Sequence, residues 1–174
     1  MAAHSRAGGW ARMAAALAVV LALDQITKQI AISAVDRGES VNVFLGLDIT
    51  NTRNTGIAFG ALQGRGAIVA VLVGVALTAL VAYFAANAQR PWLWLPAGML
   101  LGGALGNLLD RIREGAVIDF VDPIAWPAFN FADACIVVGV AVLLYVAEAR
   151  PGEPGREPDQ GAEPAAAGGD PDRR

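Results

Sequence analysis

The sequence predicts an all-α membrane protein in which four transmembrane helices carry a small extramembrane β segment at the outer face of the bilayer. Apolar residues make up 55% of the 174 positions, and the mean hydropathy is positive. Charged residues make up 17%, whereas soluble domains carry about 25%. Four apolar stretches approach the roughly 20 residues that a helix needs to cross a hydrocarbon core. These observations together place the chain in a bilayer.

The predicted spans organise residues 1–149 into one membrane domain. The first span contains Asp24 and Lys28, the second has no charged residue, and the fourth carries Asp133 near its start. Because Asp24 interrupts the first apolar run and no convincing small-residue cleavage site follows it, we expect this segment to be retained rather than removed as a signal peptide. The four spans are residues 13–35, 66–86, 91–109 and 131–147.

Two segments outside the spans have patterns of their own. Residues 41–50 (VNVFLGLDIT) alternate apolar side chains with other residues, and this period of two predicts a strand with one buried face. Residues 150–174 are rich in Pro, Gly, Ala and acidic residues and contain no large apolar residue. Such a segment buries too little surface to offset its chain entropy, so we predict a disordered cytoplasmic tail.

Four alternating spans bring the polar residues to one face of the membrane, whichever way the protein is oriented. Arginines are nearly balanced between the two sides, so the positive-inside rule gives little guidance. We place both termini in the cytoplasm and the polar face outside. The residues on that face are Asp24, Lys28, Asn54, Asn107, Asp110, Arg111, Asp119, Asn130 and Asp133.

Ionisable residues at membrane depth indicate a site shielded from lipid, since each costs at least about 2.5–3.5 kcal/mol on insertion scales. One interpretation is a structural ion-pair cluster, with Asp24 bound to Lys28 at i, i+4 spacing or Asp110 bound to Arg111. Acidic residues nevertheless outnumber basic ones in this region, and crowding at low dielectric drives carboxyl pKa values apart. A carboxyl pair that shares one proton can act as base and acid together, which favours a catalytic function.

Rare residue types exclude several other hydrolytic mechanisms. His4, near the N-terminus, is the one histidine, so an HExxH metal site is impossible. A catalytic Cys–His or Ser–His pair is excluded for the same reason. A serine–lysine dyad would need Lys28, the one lysine, and it is disfavoured because Ser33 falls on a different helical face from Lys28. Cys135 has no base residue to activate it and is interpreted as a packing residue. Carboxylates remain as the groups for proton transfer.

Five short blocks, in this order, resemble those of the lipoprotein signal peptidases, also called signal peptidase II, an aspartic peptidase family of bacterial inner membranes. The resemblance covers about residues 10–149, and every motif position agrees with the family pattern. The blocks are residues 24–28 (DQITK), 54–60 (NTGIAFG), 106–111 (GNLLDR), 117–120 (VIDF) and 129–133 (FNFAD).

The resemblance implies a reaction and the residues that carry it. The protein would remove the signal peptide of a prolipoprotein, cleaving just before a cysteine that carries diacylglycerol, and globomycin would inhibit it. Asp119, in the loop after the third span, and Asp133, which opens the fourth, would form the catalytic dyad without a metal or organic cofactor. We expect a monomer with no nucleic-acid partner. The residues that would bind substrate or support the dyad are Asn54, Asn107, Arg111, Asn130, Asp24, Lys28 and Asp110.

Gly56 suits close approach of a substrate backbone, and it equally suits a tight turn into the second span.

Three rival functions use the same residues differently. A channel or transporter needs polar groups in both halves of the membrane, yet the second span is apolar apart from Thr78. A presenilin-like protease needs a Gly-x-Gly-Asp block, which the sequence lacks. A non-catalytic assembly factor is the third, and a cleavage assay separates it from an enzyme.

Overall fold

The structure, a computed structural model, describes residues 5–56 and 66–148, with side chains from residue 71 onward in the second range. Each predicted span overlaps one helix. The helices are α1 (Arg6–Ala34), α2 (Gly66–Asn87), α3 (Trp94–Glu114) and α4 (Phe131–Glu148). The strands are β1 (Ser40–Phe44), β2 (Leu47–Asn54) and β3 (Val117–Pro123). The tail predicted to be disordered lies outside the described residues.

The start of α1 and the end of α3 lie furthest from the predicted span limits, and local capping explains both. α1 begins at Arg6 rather than at residue 13, because the Ser5 hydroxyl accepts a hydrogen bond of 3.0 Å from the N–H of Gly8. α3 continues to Glu114 rather than ending at residue 109, and it stops where Gly115 adopts a left-handed φ of 70°. Asp110 and its neighbours therefore lie on a helix.

Within the two described ranges, α1 with 29 residues and α4 with 18 are the helices long and apolar enough to cross a membrane by length and composition. Both expose large apolar side chains, among them Ile30, Val137 and Tyr145, which suits a lipid-facing surface. The mostly helical fold is confirmed. The crossing of the membrane by α2 and α3 stays a prediction.

α3 packs against α1 on one side and α4 on the other. Small residues permit these approaches: a Cβ on Gly102 would lie 2.8 Å from the carbonyl oxygen of Leu17 in α1. A Cβ on Gly103 would lie 2.7 Å from the carbonyl oxygen of Ala132 in α4. Close packing of the three helices therefore brings the polar residues of α1, α3 and α4 within reach of one another.

The segment between α1 and α2 is a β-hairpin. β1 and β2 pair antiparallel with Val41 opposite Ile49, and the chain reverses at Gly46, whose φ is 78°. All five residues of β1 are exposed. The β structure predicted for residues 41–50 is confirmed, but a single strand with one buried face is wrong. The reason is that glycine permits a reversal in the middle of the alternating pattern.

β3 replaces the loop that the sequence predicts around Asp119. It pairs antiparallel with β2, placing Thr52 opposite Asp119, and completes a sheet of order β1-β2-β3. The prediction of a loop was wrong because this pairing joins strands far apart in the chain and depends on no local pattern. The sheet contacts α1 and α3, and it holds Asp119 against the helical bundle.

Candidate active site

Asp119 and Asp133 reach one cluster from two different elements. Asp119 lies on β3 and is 1% exposed, while Asp133 lies in the first turn of α4. Asn130 connects them, because its side-chain Nδ2 donates to Oδ1 of Asp119 at 2.8 Å and its main-chain N–H donates to Oδ2 of Asp133 at 3.3 Å. Two carboxyl groups from separate elements are thereby held beside the same residue.

The start of α4 fixes the side chain of Asp133. The main-chain N–H of Asp133 donates to Oδ1 of Asn130 at 2.9 Å, while Asp133 accepts from the main chain of Asn130 in return. This reciprocal pair is the capping-box arrangement, in which the residue before a helix and the third residue within it satisfy each other's N–H groups. The Asn-x-x-Asp spacing ahead of an apolar run is the sequence signal for this cap.

Two further asparagines contact the dyad from other elements. Asn54, at the end of β2, donates from Nδ2 to Oδ2 of Asp119 at 2.9 Å. Asn107, on α3, donates from Nδ2 to Oδ1 of Asp133 at 2.8 Å. With the bonds from Asn130, all four carboxyl oxygens of the dyad accept a hydrogen bond from an N–H group.

The orientation of each amide is set by a donor behind it. Nζ of Lys28, which can only donate, lies 3.0 Å from Oδ1 of Asn107. The main-chain N–H of Gly56 donates to Oδ1 of Asn54 at 2.9 Å. The main-chain N–H of Asp133 holds Oδ1 of Asn130 in the same way. Since the oxygen of each amide faces a donor, its NH₂ group faces the dyad.

Burial raises the pKa of Asp119 from 3.8 to about 6. The negative charge of Asp133 also raises the pKa towards this value, while hydrogen bonds from Asn54 and Asn130 and the positive charge of Lys28 lower it. Loss of solvation is the largest of these effects. A carboxyl group with a pKa near 6 gains and loses its proton close to neutral pH, which suits a general acid or base.

Lys28 joins two more buried carboxylates behind the dyad. Its Nζ lies 2.8 Å from Oδ2 of Asp24 and 2.7 Å from Oδ2 of Asp110. Asp110 thus pairs with Lys28 and not with Arg111, its neighbour in the chain. Gln25 was missed as a site residue, although its Nε2 donates to Asp24 at 3.2 Å and to Asp110 at 3.1 Å. Its place in the first sequence block was the available signal.

A cavity of about 290 Å³ opens beside Asp133. Arg111 closes one side of it by donating to the main-chain oxygens of Gly56 at 3.3 Å and Asn107 at 3.2 Å. The apolar lining was not predicted, because these residues are brought together only by the fold. It consists of Val117, Trp126, Pro127, Ala128, Phe129, Ile136 and Val137.

Residues 16–148 match the family described as Signal peptidase (SPase) II. The chain belongs to the signal peptidase II family. A lipoprotein signal peptidase of Moorella thermoacetica is 43% identical over 142 residues, which cover 80% of this chain and 95% of the relative. A lipoprotein signal peptidase of Pelotomaculum thermopropionicum is 41% identical over 131 residues, which cover 74% of this chain and 86% of the relative.

Two solved structures of bacterial membrane enzymes share the fold of this signal peptidase II family member. One is 34% identical with a TM-score of 0.70, and the match covers 78% of this chain and 85% of that chain. The other is 33% identical with a TM-score of 0.69, and the match covers 80% of this chain and 94% of that chain. The family and the apolar helices together identify a membrane protein.

The structure links all the candidate site residues of this signal peptidase II family member in one hydrogen-bonded and ion-paired network. Members of the network come from α1, β2, α3, β3 and the start of α4. They are Asp24, Lys28, Asn54, Gly56, Asn107, Asp110, Arg111, Asp119, Asn130 and Asp133.

Proposed function

We propose that the chain is an aspartic endopeptidase that removes signal peptides from prolipoproteins, with Asp119 and Asp133 as its catalytic dyad. The observation that carries the proposal is the Asn130 bridge, which binds both carboxyl groups. One of these carboxyl groups, that of Asp133, lines the cavity. Membership of the signal peptidase II family supports the peptidase activity and the class of substrate.

The proposed reaction uses the two carboxyl groups in complementary protonation states. One, ionised, removes a proton from a water molecule, and the other, protonated, donates a hydrogen bond to the scissile carbonyl oxygen. The water oxygen attacks the carbonyl carbon, and a proton passes to the amine that leaves as the C–N bond breaks. The pKa of Asp119, raised to about 6 by burial, suits a pair that shares one proton near neutral pH.

The surrounding asparagines keep the dyad in place during this cycle. Asn54 holds one oxygen of Asp119 and Asn107 holds one oxygen of Asp133, each through an NH₂ group whose orientation is fixed from behind. Held in this way, the carboxyl groups need little reorganisation when charge moves between them, which is the main source of catalytic stabilisation in such sites.

The cavity suits a substrate that is part peptide and part lipid. Arg111 and Asn54 provide polar contacts for a peptide backbone on one side, while Ile136 and Val137 provide an apolar wall on α4. The proposed substrate carries diacylglycerol on the cysteine that becomes the new N-terminus, and cleavage falls just before this cysteine. Its acyl chains stay in the bilayer and contribute about 0.8 kcal/mol of anchoring per buried CH₂.

We place the protein in the bacterial inner membrane with four crossings and both termini in the cytoplasm. An even number of crossings returns the chain to the side on which it started. The dyad and the sheet lie where α1 and α3 end and α4 begins, so they share one face, which is the outer face in this orientation. We expect the protein to act as a monomer and to be inhibited by globomycin.

Incubation of the purified protein with a diacylglyceryl-modified precursor tests the proposal. We expect cleavage just before the modified cysteine, slower cleavage of the unmodified precursor, and inhibition by globomycin. Absence of cleavage under conditions in which the protein remains folded would favour the assembly factor over the enzyme.

Variants of the dyad test the assignment of residues. Asp119→Asn and Asp133→Asn should each lower kcat by about 10³-fold, because general acid–base catalysis contributes on the order of 10²–10⁴-fold. Asp122→Asn is the matched control, because Asp122 lies on the same strand as Asp119 but pairs across the sheet with Asp48. Substantial turnover by folded Asp133→Asn would remove that residue from the chemistry.

A further inference from the structure

Two buried carboxylates outside the dyad each hold the main chain immediately before one dyad residue. Oδ1 of Asp24 accepts a hydrogen bond of 3.0 Å from the N–H of Ala132, which precedes Asp133. Oδ2 of Asp110 accepts a hydrogen bond of 3.2 Å from the N–H of Ile118, which precedes Asp119. The two contacts are equivalent in sequence position although they are made by different helices to different elements.

Lys28 joins these two carboxylates. Its Nζ lies 2.8 Å from Asp24, 2.7 Å from Asp110 and 3.0 Å from Oδ1 of Asn107. An ammonium group has three donors, and each has a partner here. Lys28 is 1% exposed and Asp24 is fully buried, so solvent screens these contacts little.

We propose that Lys28, Asp24 and Asp110 are positioning residues that set the separation of the dyad, with Asp24 acting on Asp133, Asp110 acting on Asp119, and Lys28 joining the two arms. This inference rests on the proposed function, since it takes Asp119 and Asp133 as the reacting groups. The alternative is that the three residues only balance charge in a buried cluster and stabilise the fold.

Asp24 and Asp110 use their carboxyl oxygens differently, and this difference distinguishes a positioning role from a charge-balancing role. Asp24 uses Oδ1 for Ala132 and Oδ2 for Lys28. An asparagine at position 24 must therefore turn its NH₂ group against a donor and lose one contact. Asp110 uses the single atom Oδ2 for both Lys28 and Ile118. An asparagine at position 110 keeps both contacts through its oxygen and loses only the bond from Gln25.

The experiment compares Asp24→Asn, Asp110→Asn and Asp110→Ala in the full-length protein, with kcat and KM measured on the diacylglyceryl-modified precursor. We expect Asp24→Asn and Asp110→Ala to lower kcat by about 100-fold, the scale expected when catalytic groups move by about 1 Å. Asp110→Asn should retain a kcat about tenfold higher than that of Asp110→Ala, because its positioning contacts survive. KM should change little in all three variants, because none of these side chains lines the cavity.

A charge-balancing role predicts a different result. Asp24→Asn and Asp110→Asn remove the same charge from the same lysine, so they would then be equally impaired. Equal losses of kcat in these two variants would overturn the proposal, and so would a change confined to KM. If Asp24→Asn does not fold in a thermal-unfolding measurement, the comparison of Asp110→Asn with Asp110→Ala decides alone, and equal activity of that pair would overturn it.

Failure of this inference is distinguishable from failure of the proposed function. If Asp119→Asn and Asp133→Asn are inactive but the position-24 and position-110 variants do not follow the predicted order, the peptidase assignment stands and the positioning role is lost. If the two dyad variants cleave like wild type, both proposals are lost together.

Discussion

Asn54 donates a hydrogen bond of 2.9 Å from its side-chain amide to Oδ2 of Asp119. The bond joins the end of β2 to β3, and it exists because these strands pair with Asn54 opposite Val117. The main-chain N–H of Gly56 holds the oxygen of the same amide at 2.9 Å. The NH₂ group of Asn54 therefore faces Asp119, and the ionisation of that carboxyl depends on Asn54, the last residue of β2.

Asn54→Ala should raise the pKa of Asp119 above about 6. The hydrogen bond from Asn54 favours the ionised carboxylate and lowers its pKa, so removing the bond moves the titration of Asp119 to higher pH. The measurement is the dependence of kcat/KM on pH, in which the step near pH 6 should shift upward. Asn42→Ala is the control, because Asn42 bonds Asp48 on the hairpin. An unshifted step in Asn54→Ala would contradict the prediction.

Asp119 should make the protein less stable as the pH rises towards neutral. Its pKa is about 6 in the fold against 3.8 ordinarily, so the folded state keeps a proton that the unfolded state releases between these values. This stabilisation is complete below 3.8 and is lost as the pH rises through 6. The Tm of Asp119→Asn relative to wild type should therefore increase over that range, by the equivalent of at most about 3 kcal/mol. A Tm difference independent of pH would show that this proton is not linked to folding.

Gly106→Ala should impair both stability and activity. A Cβ at position 106 would overlap Oδ2 of Asp24, the oxygen that pairs with Lys28. We expect a cost of about 1–3 kcal/mol in unfolding free energy from overpacking, together with a fall in kcat of about 10-fold or more as Asp24 moves. Thermal unfolding and the cleavage assay measure the two effects.

Gly74→Ala is the matched control for that substitution. A Cβ on Gly74, in α2, meets nothing within 4 Å among the described residues. Replacing a helical glycine with alanine at such a position stabilises by about 0.5–1 kcal/mol. We therefore expect unchanged kcat and an equal or higher Tm, and a similar loss in both variants would show that the effect at position 106 does not come from Asp24.

Deleting residues 151–174 should leave turnover nearly unchanged. The segment contains no large apolar residue with which to dock onto the membrane domain. The specific activity of the truncated protein, compared with that of the full chain at equal folded concentration, measures the effect. A large loss of activity would show that the tail binds the domain.

Local composition was sufficient to locate the helices. The length of an apolar run and the cost of placing charge in lipid are properties of contiguous residues, so the spans could be predicted from residues 13–35 or 131–147 taken alone. The same kind of reasoning failed at Gly46 and around Asp119. There a turn and a pairing with a distant strand override the local pattern.

The chemical types of the site residues were likewise available in the chain. Scarcity of histidine and lysine left carboxylates as the proton-transfer groups, and the resemblance of five sequence blocks to the signal peptidase II family implied Asp119 and Asp133 as the dyad. The roles of their neighbours were not available. Contacts such as the one between Asp24 and Ala132 join residues 108 positions apart, and no local sequence pattern specifies which oxygen of a carboxylate faces which donor. Only the packing of α1, α3 and α4 against one another decides that geometry, because hydrogen bonds require their partners within about 3 Å.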